Sequence, residues 1–180
     1  MVLLNLNFAI TSFDKNDYQK ARTYCEKALN LCNLEDSISL VRVYVDCAHI
    51  LTEEGIDSRD IQLFKNSNEN LRKALKYNAS ELSRIYYQLG ANTQNIATYS
   101  DDLDSLAYDS LLKKAASYYL KAITSGTEEG HLDTYSDVFH SAIELSKREM
   151  ERNGIATGTE IIMNAINEAY LQTYKKADTL

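Results

Sequence analysis

The sequence predicts an all-α chain built as an array of helical hairpins, and three observations carry that prediction. A short phrase recurs four times: Glu26-Lys27-Ala28-Leu29, Arg72-Lys73-Ala74-Leu75, Leu120-Lys121-Ala122-Ile123 and Met163-Asn164-Ala165-Ile166. Its alanines lie 46, 48 and 43 residues apart (28 to 74, 74 to 122, 122 to 165), the interval of stacked helix pairs that bury their apolar faces on one another. Proline is absent and only 6 glycines occur, so the main punctuators of turns are missing and long helices with short connections are favoured. Apolar residues recur at three- and four-residue spacing along the predicted helices.

Eight helices in four pairs follow. The first pair is Val2–Phe13 and Asp17–Cys32, joined by the polar turn Asp14-Lys15-Asn16. Tyr18, Ala21, Tyr24, Cys25, Ala28, Leu29 and Cys32 share one face of its second helix. The second pair is Asp36–Glu54 and Ser58–Asn78, with Gly55 as the expected stop. Ile38 to Leu51 is apolar almost all round, as expected of a helix held between neighbours.

The third pair is Ser80–Thr98 and Asp101–Ser125. Ser100 is the expected N-cap of its second helix, and Asp101, Asp102 and Asp104 suit that helix's positive end. The loop Gly126-Thr127-Glu128-Glu129-Gly130 leads to the fourth pair, Leu132–Arg152 and Gly158–Ala177. Ala9, Ala28, Ala48, Ala74, Gly90, Ala122, Ala142 and Ala165 fall where paired helices are expected to cross most closely.

Composition bounds the function. A chain of 180 residues, 44% hydrophobic, suffices for one sizeable domain, so residues 1–180 read as a single repeat domain. The net charge of −7, with 19 basic residues scattered among 26 acidic ones, argues against nucleic acid and suits either neutral or basic partners or solubility alone. No run of about 20 apolar residues exists, so no membrane helix is expected. Met1 to Ile10 lacks a basic leader and is interrupted by Asn5 and Asn7. It reads as a helix already under way, as in a chain cut from something longer. Cys25 and Cys32 lie seven apart on one helix, roughly 10 Å of rise, too far for a disulfide. Reduced thiols and a cytoplasmic location are the simplest expectation, and Asn78-Ala79-Ser80 then matches a glycosylation sequon only by chance.

Asn16-Asp17-Tyr18-Gln19-Lys20-Ala21, followed by Tyr24-Cys25-Glu26-Lys27-Ala28-Leu29-Asn30-Leu31, resembles the second helix of a tetratricopeptide repeat. Phe8-Ala9 with Ser12-Phe13 resembles the matching first helix, as does Leu89-Gly90, and Ala115 with Tyr118 to Ile123 resembles the second helix again. The first repeat matches over about 30 residues, the third is split by extra residues, and the others match in part. The family's repeat is shorter, about 34 residues, and usually closes with a proline that this chain lacks. The resemblance implies a TPR-like right-handed superhelix whose first helices line a concave groove for a peptide or partner segment. Members of the family that clamp chaperone tails carry Lys and Asn where this chain has Leu6 and Ile10, so that ligand is not expected.

Aligning the first helices on Ala9, Ala48, Gly90 and Ala142 yields a candidate groove row. Arg42, Asp46, His49 and Glu53 form a polar stripe in the second pair, and Arg84, Gln88 and Asn95, with Asn92 beside them, fall at matching places in the third. Asn7 and Asp14 in the first pair, and His140 and Lys147 in the fourth, complete it. Such side chains either face water or meet a partner, because burying them unpaired costs several kcal/mol. The competing expectation is a solvated face with an internal Arg42–Asp46 pair worth a few tenths of a kcal/mol.

Motifs for chemistry are not evident. The only histidines are His49, His131 and His140, and neither His-Glu-x-x-His nor Cys-x-x-Cys occurs. His140 and Glu144 share a face, but two ligands do not hold zinc, and the Asp101-Asp102-Asp104 run lacks an EF-hand's glycine and final glutamate. The expectation is a peptide- or protein-binding module without catalysis, cofactor or metal. Two alternatives stand beside it: a self-assembling scaffold that dimerises through Ile162, Ile166, Tyr170 and Tyr174, and the sensor domain of a peptide-regulated transcription regulator.

Overall fold

The structure is a computed structural model that describes residues 1–32, 37–77, 81–129, 133–153 and 157–177. Among the described residues the chain is all-helical, with eight helices and no strand. The sequon 78–80 and His131 lie outside the described residues, as do the side chains of Tyr170 and Tyr174. The helices gather into two compact units, Met1–Ser80 and Glu81–Leu180.

The first unit holds α1 (Val2–Phe13), α2 (Tyr18–Leu31), α3 (Ser37–Ser58) and α4 (Ile61–Ala74). Helix α1 pairs with α2 and α3 with α4, and α3 also seats against both α1 and α2. The chain reverses between α1 and α2 at Asn16, whose φ of 58° is in the left-handed region that Asn tolerates. Asp17 then caps α2, its carboxylate accepting from the Lys20 amide at 3.1 Å. The core between the hairpins is Leu6, Ala9, Ala21, Cys25, Ala28, Val43, Cys47 and Ile50. Three buried alanines let the backbones of α1 and α2 approach, as the small-residue pattern predicts. All three cysteines are free thiols. Cys47 hydrogen-bonds with Cys25 across the α2–α3 seam, and that bond together with burial pushes the Cys47 thiol pKa upward.

Gly55 does not end α3. The helix runs on to Ser58 and the chain turns at Arg59, φ 56°, before Asp60 caps α4 through the Gln62 amide at 2.8 Å. Gly55 is buried, and a Cβ there would lie 3.0 Å from the ring of Phe64. It is glycine because the Phe64 ring rests on the α3 backbone. Nearby, the Ser67 hydroxyl donates to the Ala48 carbonyl at 2.8 Å and pairs with Thr52 at 3.0 Å, satisfying two buried hydroxyls at the α3–α4 crossing. Helix α4 stops at Ala74 rather than continuing to residue 78.

The second unit holds α5 (Leu82–Tyr99), α6 (Ser105–Glu129), α7 (Thr134–Asn153) and α8 (Thr157–Ala177). Helix α5 packs on α6 and α7, and α8 packs on α6 and α7. Two hairpins are thus layered, first helix on first helix and second on second. The core runs through Leu112, Ala115, Tyr119, Ile123, Val138, Ala142, Leu145 and Ile162. Gly90 is where α5 meets α6 most closely, since a Cβ there would come within 2.7 Å of the Tyr119 ring.

Three further expectations are corrected in this unit. Ser100 caps the end of α5, its hydroxyl donating to the Ile96 carbonyl at 2.6 Å, whereas the start of α6 is capped by Asp104 through the Ala107 amide at 2.7 Å. The stretch 126–129 is not a loop but the last turn of α6, with Gly126 buried inside it. Ile162 and Ile166 are buried in the core and packed toward α6, so they are not displayed for a dimer contact.

Candidate functional site

The predicted groove row divides between the two units. In the first, Asn7 is exposed on α1, and its carbonyl accepts from Thr11 Oγ1 at 2.8 Å. Arg42 and Asp46 approach to 3.7 Å and His49 and Glu53 to 3.8 Å, each one turn apart on α3. His49 also stands edge-on to Phe13, ring centroids 5.5 Å apart. This stripe is therefore engaged with itself, and such exposed pairs contribute only tenths of a kcal/mol.

In the second unit the row behaves differently. Gln88, Asn92 and Asn95 are buried, which corrects the expectation that they face water. For Asn95 the reason is tertiary: it meets Arg148 of α7, which packs along α5. Asn95 accepts from the Arg148 guanidinium at 3.2 Å, and that guanidinium sits 5.2 Å over the Tyr99 ring. Gln94, absent from the predicted row, is the more connected amide. Its oxygen accepts from the Tyr119 hydroxyl at 3.1 Å and its nitrogen donates to the Ser141 carbonyl at 3.1 Å. Gln94 and Asn95 thus fix α5 against α6 and α7.

Arg84 and His140 remain exposed. Arg84 lines a cleft between the N-terminal parts of α5 and α7, and His140 is not among the residues that line it. The cleft, of about 520 Å³, opens between Glu81, Ser83, Arg84 and Tyr87 on one side and Asp133, Thr134 and Asp137 on the other. Arg84 is held to Glu81 at 3.1 Å, and Tyr87 closes the inner end, its hydroxyl 3.2 Å from Ser141 Oγ. Burial and the neighbouring Asp133 carboxylate raise the Asp137 pKa, while His140 opposes them. Three carboxylates against one guanidinium give the cleft a negative character. It matches the charge of its unit, where nine basic residues face fifteen acidic ones, a formal −6 of the chain's −7.

Of the residues that line this cleft, sequence reasoning named Arg84 and missed Glu81, Tyr87, Asp133 and Asp137. The signal was present: residues 133, 137 and 140 follow helical spacing of four and three, as do 81, 84 and 87 by threes. It was hidden because equal register was assumed to mean equal exposure.

Among the described residues no group of three or more His, Cys, Asp and Glu side chains is placed to hold a metal ion. Among them, too, no helix is long and apolar enough to cross a membrane. No relative settles the family. Comparison with protein-family models, with curated proteins and with solved structures finds no match.

Proposed function

We propose that the chain is a protein- or peptide-binding module, built as a tetratricopeptide-like array with lengthened helices, that performs no catalysis. The observation that carries this reading is the α5–α7 cleft. Two successive first helices lie side by side, as in an array whose first helices line the binding face, and they leave an open polar groove rather than a closed apolar seam. The bound element is a segment of a partner protein. Its basic side chains meet Glu81, Asp133 and Asp137, and its main chain or a carboxylate meets Arg84, whose fork suits bidentate contact. Tyr87 offers a half-buried ring for an apolar anchor.

The self-assembling reading loses its main support with the burial of Ile162 and Ile166. The sensor reading survives as a use of the same cleft, in which occupancy alters how α5 and α7 pack.

The test is a titration of the purified chain against an array of fluorescent peptides, repeated with Arg84→Ala and Tyr87→Ala. Arg84→Ala is expected to weaken the selected peptide by about 1–3 kcal/mol while changing stability by less than about 0.5 kcal/mol. If every peptide that binds does so equally well to both variants, the cleft is not the binding face.

A further inference from the structure

A second surface, in the first unit, has the opposite chemistry. Helices α1 and α2 bury one side of their hairpin against α3 and leave another uncovered. On the uncovered side Leu4 and Phe8 are 48% and 45% exposed, one turn apart on α1. Phe8 packs on Tyr24 of α2, ring centroids 5.2 Å apart, and the two rings form the floor of a cleft of about 410 Å³. Lys15 and Lys20 stand at its rim, and neither has an ion-pair partner among the described residues. Lys27 lies one turn beyond Tyr24 with its ammonium 5.0 Å over that ring, so Lys20, Tyr24 and Lys27 form one stripe along α2. Asp17, the acid at the cleft, has an oxygen engaged in the cap of α2.

We infer that the α1–α2 cleft docks an acidic segment of a partner protein, with a large apolar side chain seated on Phe8 and Tyr24 and carboxylates meeting Lys15 and Lys20. The argument is charge complementarity joined to exposed aromatic area. In a chain of net charge −7, unpaired lysines grouped around an open aromatic floor make a local positive site. Exposed rings rimmed by like charges are the anatomy of an interaction surface: an apolar centre sets the affinity and a charged rim steers the approach. The inner end of the cleft also lies at the N-terminus of α2, whose dipole adds to the attraction for a carboxylate. This surface does not depend on the α5–α7 cleft and would stand if that reading failed.

The probe is a fluorescein-labelled peptide with a Phe-Leu centre flanked by Glu and Asp, compared with a twin in which Gln and Asn replace the acids. Polarisation titration at low salt is expected to show the acidic peptide binding about ten-fold or more tighter than its neutral twin, with the difference shrinking as salt rises. The double variant Lys15→Glu/Lys20→Glu should abolish the preference, Phe8→Ala should weaken both peptides, and Lys113→Ala, on α6 and outside both clefts, should change neither. Each substituted side chain is exposed, and circular dichroism melts check that the variants stay folded. Equal binding of the two peptides, no binding of either, or retention of the preference in the lysine double variant overturns the proposal. So does sedimentation showing a dimer that Phe8→Ala dissociates, because a second copy would then cover this face.

Discussion

Glu149, near the end of α7, holds the start of α8: its Oε1 lies 2.8 Å from the backbone nitrogen of Gly158. The other carboxylate oxygen accepts from the Thr159 amide at 3.0 Å and its hydroxyl at 3.2 Å, and the Tyr108 hydroxyl donates to Oε1 at 2.9 Å. One buried side chain thus satisfies the open amides of α8 and ties α6, α7 and α8 together. Gly158 is required beside it, since a Cβ there would fall 2.3 Å from Glu149 Oε1 and 2.2 Å from Leu112 Cδ1.

Glu149→Ala is therefore expected to cost about 3 kcal/mol or more, because it leaves two amides, a phenol hydroxyl and the Thr159 hydroxyl without their acceptor. Glu149→Gln, which keeps one acceptor oxygen, should cost clearly less. Urea unfolding of the three proteins measures the order, and near-equal midpoints would refute the latch.

Gly90→Ala should destabilise by about 1–3 kcal/mol, since the new methyl meets the Tyr119 ring and that ring is fixed by its bond to Gln94. A change below about 0.5 kcal/mol in chemical denaturation would show that α5 and α6 part without penalty.

Asp104→Ala removes the side chain that caps α6 and should cost about 1 kcal/mol, whereas Ser100→Ala should be milder, because Ser100 only bonds back to its own helix. The reverse order would restore Ser100 as the cap.

Tyr18 donates to Asp57 at 2.5 Å, and that bond, followed by burial, raises its pKa from 10.0 to about 12. Below pH 10 both folded and unfolded chains keep the proton and the contribution is complete. Between pH 10 and about 12 the unfolded chain releases the proton while the folded chain holds it, so stability falls across that window. Tyr18→Phe should lose stability at neutral pH and show a smaller drop between pH 10 and 12 in thermal melts. An unchanged alkaline profile would mean that the bond does not outlast the solvent around it.

Helical periodicity, with one segment apolar almost all round at α3, located the eight helices of the described residues. The residues at close crossings were legible too: Ala9, Ala28, Ala48, Ala74, Ala122 and Ala142 are fully buried. What misled was local punctuation. Gly55 and Gly126 look like stops, yet both sit inside helices, and at Gly55 a phenylalanine ring from the next helix needs the space. Ser100 was the expected cap of α6, and only the fold gives that role to Asp104. The site was harder. Gln88 and Asn95 share the register of Asp46 and Glu53, with Asn92 beside them, yet all three are buried, and nothing in their own segment encodes that burial. Asp133 and Asp137 acquire meaning only once α7 is laid beside α5.

The most direct test of the central claim, that the α5–α7 cleft is a binding face, is amide hydrogen exchange with the peptide selected by titration present and absent. Binding is predicted to slow exchange in Glu81–Tyr87 and in Asp133–Asp137, where the cleft residues lie, and to leave α4 and the C-terminal half of α6 unchanged. Protection confined to other segments, or unchanged exchange at saturating peptide, would contradict the account.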